Sequence, residues 1–374
     1  MIDRILFFPY YFWLKARNDF YNKGGKLVQR SEVPTLCIGN ITAGGTGKTP
    51  HVEMVLRLLK ESEEWGGKNL AVLSRGYKRE SKGFQQVVSD GSATMFGDEP
   101  LQIKKKFPDV TVVVDKDRVE GCRLLADPSK LQNKKYEKKC WNRDFPAADY
   151  IVLDDAFQYR KLKATKTIVL VDWNRPLFED KLLPMGHLRD LPERIVDADA
   201  IIVTKCPESL DTSEMTTFAY KLGVSNYNPI SCEGTAADGR TQLVFFTKIS
   251  YGQSHALFEE ADPRFIYSKK VIMMTGIAKD TPLRNYLSDT YKIIKRFRFP
   301  DHHKYTWSDI NKVQAAVLHN QTAAIATTEK DAQRLLDFNG MPRPIAERMF
   351  VVPIEVGFVD ERQKPIFRDF VVTV

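Results

Sequence analysis

No apolar run in this sequence approaches the roughly 20 residues that a membrane-spanning helix needs, so a helical bilayer span is not expected. Cysteine is scarce. The five thiols (Cys37, Cys122, Cys140, Cys206 and Cys232) are scattered and odd in number. They show neither metal-ligand spacing nor a disulfide framework, and a reducing compartment is their natural setting. There is no internal repeat and no long low-complexity tract. Acidic residues are outnumbered, 48 against 56 Lys and Arg, which leaves a formal charge of +8. That sign suits a nucleotide, a phosphorylated substrate, an anionic membrane or a nucleic acid, and does not choose among them. A chain of 374 residues with 43% hydrophobic and 28% charged residues is long enough for two domains with real cores.

The N-terminus is rich in aromatics from Ile5, Leu6, Phe7 and Phe8 through Trp13 and Leu14, and Lys15, Arg17, Lys23, Lys26 and Arg30 follow. A secretory signal is not expected: no small-residue cleavage site follows, and cations crowd the C-terminal flank. Two readings stay open. One is a helix packed on the protein's own core. The other is an interfacial helix that dips aromatics into lipid while its cations meet anionic headgroups. The helical part is expected to begin near Pro9.

The most informative stretch runs from Thr42 through Ala43, Gly44, Gly45, Thr46 and Gly47 to Lys48 and Thr49. It follows a short apolar run at 35–38 and precedes a helical pattern at 50–63. Glycines let the backbone turn and aim N–H groups at phosphate. Lys48 supplies a point charge, and the Thr49 hydroxyl can ligate Mg²⁺. The helix start adds its dipole. In the usual Gly-x-x-x-x-Gly-Lys-Ser/Thr pattern the first position is glycine; here it is Thr42.

Strands are expected at 35–38, 70–74, 86–88, 110–114, 150–153, 167–171 and 200–203, with helices at 50–63, 99–107 and 118–126. This alternation predicts an α/β fold like that of P-loop NTPases, a mostly parallel sheet with helices on both faces. A polar segment at 127–143, with Lys130, Lys134, Lys135, Lys138, Lys139 and Arg143, reads as a solvated insertion. A second, smaller α/β unit is expected from strands at 243–248, 270–275, 291–297, 323–327 and 349–352 and helices at 281–288, 307–319 and 328–338. The expected division is an N-terminal helix over 1–30, a nucleotide-binding domain over 31–225 and a smaller domain over 226–374 that closes a cleft.

Ligands of such sheets bind at the carboxyl ends of the strands. There, Asp154 and Asp155 end the apolar run 150–153, where a Walker-B carboxylate would hold Mg²⁺ opposite Thr49. Gly97-Asp98-Glu99-Pro100 opens a helix; its acids fit either simple capping or a general base near the γ-phosphate. His302 and His303 follow Pro300-Asp301 and suit metal binding, capping or proton transfer. Arg75, Arg118 and Arg189 fall in loops at the same edge. Each alone reads as a surface ion-pair residue; together they would grip a phosphorylated substrate.

These segments, in this order, resemble the tetraacyldisaccharide 4′-kinase family. The resemblance runs through Gly39-Asn40-Ile41-Thr42-Ala43-Gly44-Gly45-Thr46-Gly47-Lys48-Thr49-Pro50, Leu73-Ser74-Arg75-Gly76-Tyr77 and Gly97-Asp98-Glu99-Pro100. It continues with Leu153-Asp154-Asp155-Ala156-Phe157-Gln158 and Leu183-Pro184-Met185-Gly186-His187-Leu188-Arg189. It ends with Phe299-Pro300-Asp301-His302-His303 and Thr327-Thr328-Glu329-Lys330-Asp331, and takes in the aromatic N-terminus. It implies ATP- and Mg²⁺-dependent phosphorylation of the 4′-hydroxyl of an acylated glucosamine disaccharide 1-phosphate. It implies a peripheral enzyme on the anionic cytoplasmic face of the inner membrane of a Gram-negative cell, with no nucleic acid and no obligate protein partner. It makes Asp98 and His302 the cooperating catalytic pair beside Lys48. It places Arg75, Glu99, Arg118, Gln158, Tyr159 and Arg189 around the substrate. The chain departs from the family pattern at Ala156, in place of Gly, at Tyr159, in place of His, and at His187, where Pro is common.

Three rivals are weighed. A partitioning- or metal-delivery-type ATPase carries a lysine where Ala43 stands. A GTPase would need an Asp at Pro207 in Thr204-Lys205-Cys206-Pro207. A non-enzymatic binding module would explain the charge but not the phosphate loop with its acidic strand end.

Overall fold

The computed structural model describes residues 8–137 and 139–373. Ile5, Leu6 and Phe7 of the aromatic stretch lie outside the described residues, as do the Phe8 side chain and Lys138 of the basic segment. Two main sheets organise the rest, one of 11 strands and one of 5.

The parallel centre of the large sheet runs in spatial order Thr241–Tyr251, Ala200–Thr204, Lys166–Asp172, Thr35–Asn40, Tyr150–Asp154, Leu70–Ser74 and Thr111–Val114. Its inner strands are buried at every position, as in Leu70–Ser74 and Tyr150–Asp154. Apolar, β-branched runs of this kind are what a sheet covered on both faces demands. Side chains alternate between two cores. Ile38, Val72, Val152 and Leu170 meet one, beneath the helices Lys48–Glu61 and Gln363–Val372. Leu73, Leu153, Val169 and Val171 meet the other, with Leu14 of the helix Phe8–Asn22 and Cys122 of the helix Arg118–Ala126. The expected α/β architecture with helices on both faces is what the chain adopts. Winding reverses at Thr35–Asn40, which has later strands on both sides, and open α/β sheets bind ligands outside such a point.

The small sheet runs His255–Ala256, Met349–Val352, Ala324–Thr328, Lys270–Thr275 and Lys292–Arg298. The helices Trp307–His319 and Glu329–Leu336 pack on it through Ile310, Val313 and Leu335.

The expected division at residue 225 cuts through the large sheet. Ser225–Asn228, Glu233–Thr235 and Thr241–Tyr251 extend that sheet rather than opening a second unit. Val244, Phe245 and Phe246 explain why: all are fully buried, on both faces, beside Ala200–Thr204. The same strand then changes partner, and Thr247 to Tyr251 pair antiparallel with Ile354–Phe358. The chain leaves for the small sheet after Tyr251 and returns at Ile354.

The helix Phe8–Asn22 packs one side on the protein's own core. Leu14 enters the large-sheet core, and the buried Asn18 amide donates to Asp190 at 2.9 Å. Phe12, Trp13 and Phe20 stay about half exposed. Among the described residues no helix is long and apolar enough to cross a membrane. The insertion at 127–143 is anchored by buried Leu131, Tyr136 and Cys140. All five cysteines are buried and unpaired.

Candidate active site

The strand Thr35–Asn40 delivers the chain into the Gly-rich loop. Gly44 and Gly47 hold φ of 102° and 86°, left-handed conformations that side chains resist. Gly47 caps the helix Lys48–Glu61 without a side-chain cap, so the first N–H groups of that helix stay available to an anion. The loop is braced from behind. Thr204 donates its hydroxyl to Thr46 O at 3.0 Å, and Arg175 donates to Ala43 O at 3.2 Å. Lys205 donates to Gly45 O while pairing with Asp172 at 2.6 Å. On the flank, Ala43 N donates to His187 O at 2.6 Å, and Thr42 bridges to Leu188. The Thr42 hydroxyl is buried without a partner. Thr49 is buried in the first turn of the helix.

Beside the loop stand three acids. Burial and the charges of Asp155 and Glu99 push Asp154 up to about 6; Ser74 donates to it at 2.9 Å. It meets no cation within ion-pair distance among the described residues. Asp155 behaves oppositely. Burial alone would raise it, but Lys48 at 3.7 Å and a bidentate Arg189 hold it down at about 2. Its φ of 51° is unusual for a side-chain-bearing residue. Glu99 is lowered chiefly by Lys330, whose ammonium lies 2.5 Å away, and it also senses Lys48. The Thr49 hydroxyl and the Asp154 carboxylate are oxygen donors of the kind small hard cations take, although no three acids, imidazoles or thiols among the described residues stand together as a ready metal site.

The two sheets meet at Asp98. This residue opens the helix Asp98–Lys106, which lies against Glu329–Leu336 of the small sheet. His302 Nδ1 lies 2.8 Å from Asp98 Oδ2, and Arg334 reaches the same oxygen through Nε at 3.0 Å and Nη2 at 2.5 Å. Burial opposes ionisation of Asp98, yet the bonds from His302 and Arg334 win and keep it below the usual carboxylate range. An ionised Asp98 only accepts, so His302 Nδ1 is the donor, and His302 Nε2 is left to take a proton. His302 also has a positive φ, 60°, and its ring lies 5.4 Å from that of Tyr77. Its neighbour His303 does the plainer job: its Nε2 bonds Asp309 at 2.9 Å, in the capping box that starts Trp307–His319.

The arginines expected around the substrate divide. Arg75 is exposed at the strand end. Arg118 is buried, donating to the carbonyls of Asp115 and Lys116, each at 3.1 Å, and of Asp155 at 3.3 Å. Arg189 clamps Asp155 and reaches Asn40 Oδ1 at 2.5 Å. Gln158 donates to Asn40 O at 2.5 Å, and the Tyr159 hydroxyl donates to Asp117 at 2.8 Å under the Arg118 guanidinium.

Several residues carry no sequence signal of their own. Asn40 gathers Thr46, Lys48 and Arg189 around its side-chain amide and takes Gln158 on its backbone carbonyl. Lys205 and Arg175 come from loops after later strands. Arg334 sits one helical turn past Asp331, with the two side chains 3.2 Å apart, and that i,i+3 spacing was its only trace.

The chain matches the family model described as tetraacyldisaccharide-1-P 4′-kinase over residues 4–371. It is 35% identical to the tetraacyldisaccharide 4′-kinase of Parabacteroides distasonis, over 98% of this chain and 92% of that one. It is 34% identical to the enzyme of the same name from Porphyromonas gingivalis, over 94% and 90%. It is similar to the crystal structure of LpxK from Aquifex aeolicus in complex with ATP, with a TM-score of 0.68, 25% identity and full coverage of both chains.

Proposed function

The chain belongs to the tetraacyldisaccharide-1-P 4′-kinase family, and from that membership we propose how its residues divide the work. The reaction is transfer of the γ-phosphate of ATP to the 4′-hydroxyl of a tetraacyldisaccharide 1-phosphate, in lipid A synthesis.

The loop from Thr42 to Thr49 holds the triphosphate. Its Gly-rich backbone and the open helix start supply N–H donors, and Lys48 supplies the cation. Thr49 and Asp154 are the residues that would hold Mg²⁺, and the ion would supply positive charge to the triphosphate. Asp154 is favoured over Asp155 as the direct ligand because Lys48 and Arg189 already occupy Asp155. Asp98 orients His302 through Nδ1, and His302 Nε2 takes the proton of the 4′-hydroxyl as the phosphorus is attacked. A carboxylate held as low as Asp98 is a poor proton acceptor and a good orienter. Arg75 meets the anionic head group. Arg118, Gln158, Tyr159 and Arg189 hold the segments that line it. The two sheets act as two domains around a cleft, and the Asp98–His302 pair ties one to the other. Phe12, Trp13 and Phe20, beside Lys15, Lys23 and Lys26, rest on the anionic cytoplasmic face of the inner membrane.

The observation that carries this reading is the bond between Asp98 and His302, which come from different sheets. The test is transfer of labelled γ-phosphate to a disaccharide 1-phosphate in detergent. Acceptor-dependent ATP consumption and a labelled lipid are expected. Hydrolysis at the same rate without acceptor would favour a partitioning-type ATPase instead.

A further inference from the structure

His51 lies one turn into the helix behind the phosphate loop and is fully buried. It is not among the family's acids and bases described above, yet both its ring nitrogens are committed. Nδ1 lies 2.7 Å from Gly47 O, and Nε2 lies 3.0 Å from Thr247 Oγ1. A carbonyl only accepts, so Nδ1 carries the hydrogen, and Nε2 accepts from the Thr247 hydroxyl, which lies closer to it than to its other acceptor, Val203 O at 3.3 Å. Gly47 O also takes the ordinary helical bond from His51 N at 3.3 Å. One carbonyl thus receives two donors from one residue.

That carbonyl matters because of what lies across its peptide. In a trans peptide the C=O and the next N–H point in opposite directions. Fixing Gly47 O toward the helix therefore fixes Lys48 N–H toward the phosphate site. Gly47 has φ of 86° and no Cβ, so its own torsions do little to hold that plane. The far end of the link is equally well placed. Thr247 is fully buried at the point where its strand exchanges partners. Phe246 still pairs with Val203, while Thr247 itself pairs with Phe358. This is where the chain sets off for the small sheet.

We propose that His51 is a positioning residue for nucleotide binding: its imidazole, seated on Thr247 of the crossover strand, sets the Gly47–Lys48 peptide and so aims Lys48 N–H at the triphosphate. This rests on the kinase reading and adds to it a strut from the phosphate loop to the strand that serves both sheets.

Two substitutions separate the two ends of the ring. In His51→Asn the amide nitrogen takes the place of Nδ1 and can still donate to Gly47 O. In His51→Gln it falls near Nε2 and cannot. ATP affinity is measured by equilibrium titration of the full chain, with kcat and KM for both substrates and a thermal melt beside it. The Asn variant should bind ATP within about twofold of the unaltered protein, and the Gln variant roughly tenfold more weakly, as losing one of the two donors to a buried carbonyl predicts. The KM for the lipid acceptor should not move. A purely structural role would lower both melting temperatures without separating the two in ATP affinity. Thr247→Val, which unseats Nε2, should weaken ATP severalfold and gives an answer if the His51 variants fail to fold. Equal ATP affinities in the Asn and Gln variants, or native affinity in Thr247→Val, would overturn the proposal. Failure of the unaltered protein to bind ATP would overturn the kinase reading itself.

Discussion

Replacing Arg334 by Met tests the electrostatics at the junction of the two sheets. Both ends of the Arg334–Asp98 pair are nearly buried, with side chains 7% and 8% exposed. The guanidinium also donates to Gly276 O at 3.2 Å and to Asp331 at 3.2 Å. Removing one partner of a buried pair costs about 3–5 kcal/mol, because the other charge is left without compensation. The melting temperature should then fall by roughly 4–6 °C. The pH dependence identifies the cause. In the native protein Asp98 lies below its ordinary value. Its contribution to stability is therefore present above the unfolded carboxylate pKa of about 3.9 and is lost as pH falls through the folded value. In Arg334→Met only His302 still opposes burial, so Asp98 moves up from its native value and its contribution to stability above the unfolded pKa shrinks. The deficit of the variant should be largest near neutral pH and shrink on acidification. Turnover should follow, with an acid limb moved to higher pH because a protonated Asp98 no longer orients His302. Melts and kcat measured from about pH 4 to 8 give both. A deficit that ignores pH, with an unmoved acid limb, would mean that Arg334 only fills space.

Asp98→Ala should lower turnover by about two to four orders of magnitude while ATP titration stays near native; near-normal turnover removes Asp98 from the mechanism. Asp154→Asn should weaken Mg²⁺-dependent ATP binding at least tenfold, by roughly the loss of one charged ligand, and chelation with EDTA should abolish phosphate transfer; transfer that survives chelation refutes the metal role. Replacing Phe12 and Trp13 together by Ser should cut binding to anionic vesicles by about tenfold or more, since each buried aromatic is worth roughly 1.5–3 kcal/mol. Vesicle flotation with unchanged ATP binding is the measurement, and undiminished flotation returns the helix to a purely packing role.

The parallel centre of the large sheet was legible because its strands are short, apolar and separated by helical periods. The runs at 70–74, 150–153 and 200–203 fall inside or coincide with the strands Leu70–Ser74, Tyr150–Asp154 and Ala200–Thr204. What local pattern could not carry was strand partnership. Nothing in residues 243–248 says that they lie beside Ala200–Thr204 rather than in the small sheet, because burial on both faces is a tertiary fact. The site divides the same way. Lys48, Asp154 and Asp98 stand in motifs whose spacing is local. Asn40, Lys205 and Arg334 act only because distant loops converge, and Asn40 looks like any polar residue at a strand end. The pair His302-His303 shows the limit from another side: adjacent residues of one type, one turned toward Asp98 and the other toward a helix cap.

The return of the chain at Ile354 has a consequence for biosynthesis. The last helix, Gln363–Val372, seats Phe367 in the large-sheet core, and its carbonyls receive Tyr150 Oη at 3.0 Å and Trp65 Nε1 at 2.8 Å. A ribosome that has released the chain up to Tyr251 has made every strand of that sheet except Ile354–Phe358, and the helix Lys48–Glu61, but not the second helix that covers the same face. The nascent polypeptide must carry part of an oily flank unshielded until that helix emerges, so a stop codon just before it would yield a sticky, chaperone-bound product rather than a slightly shortened enzyme.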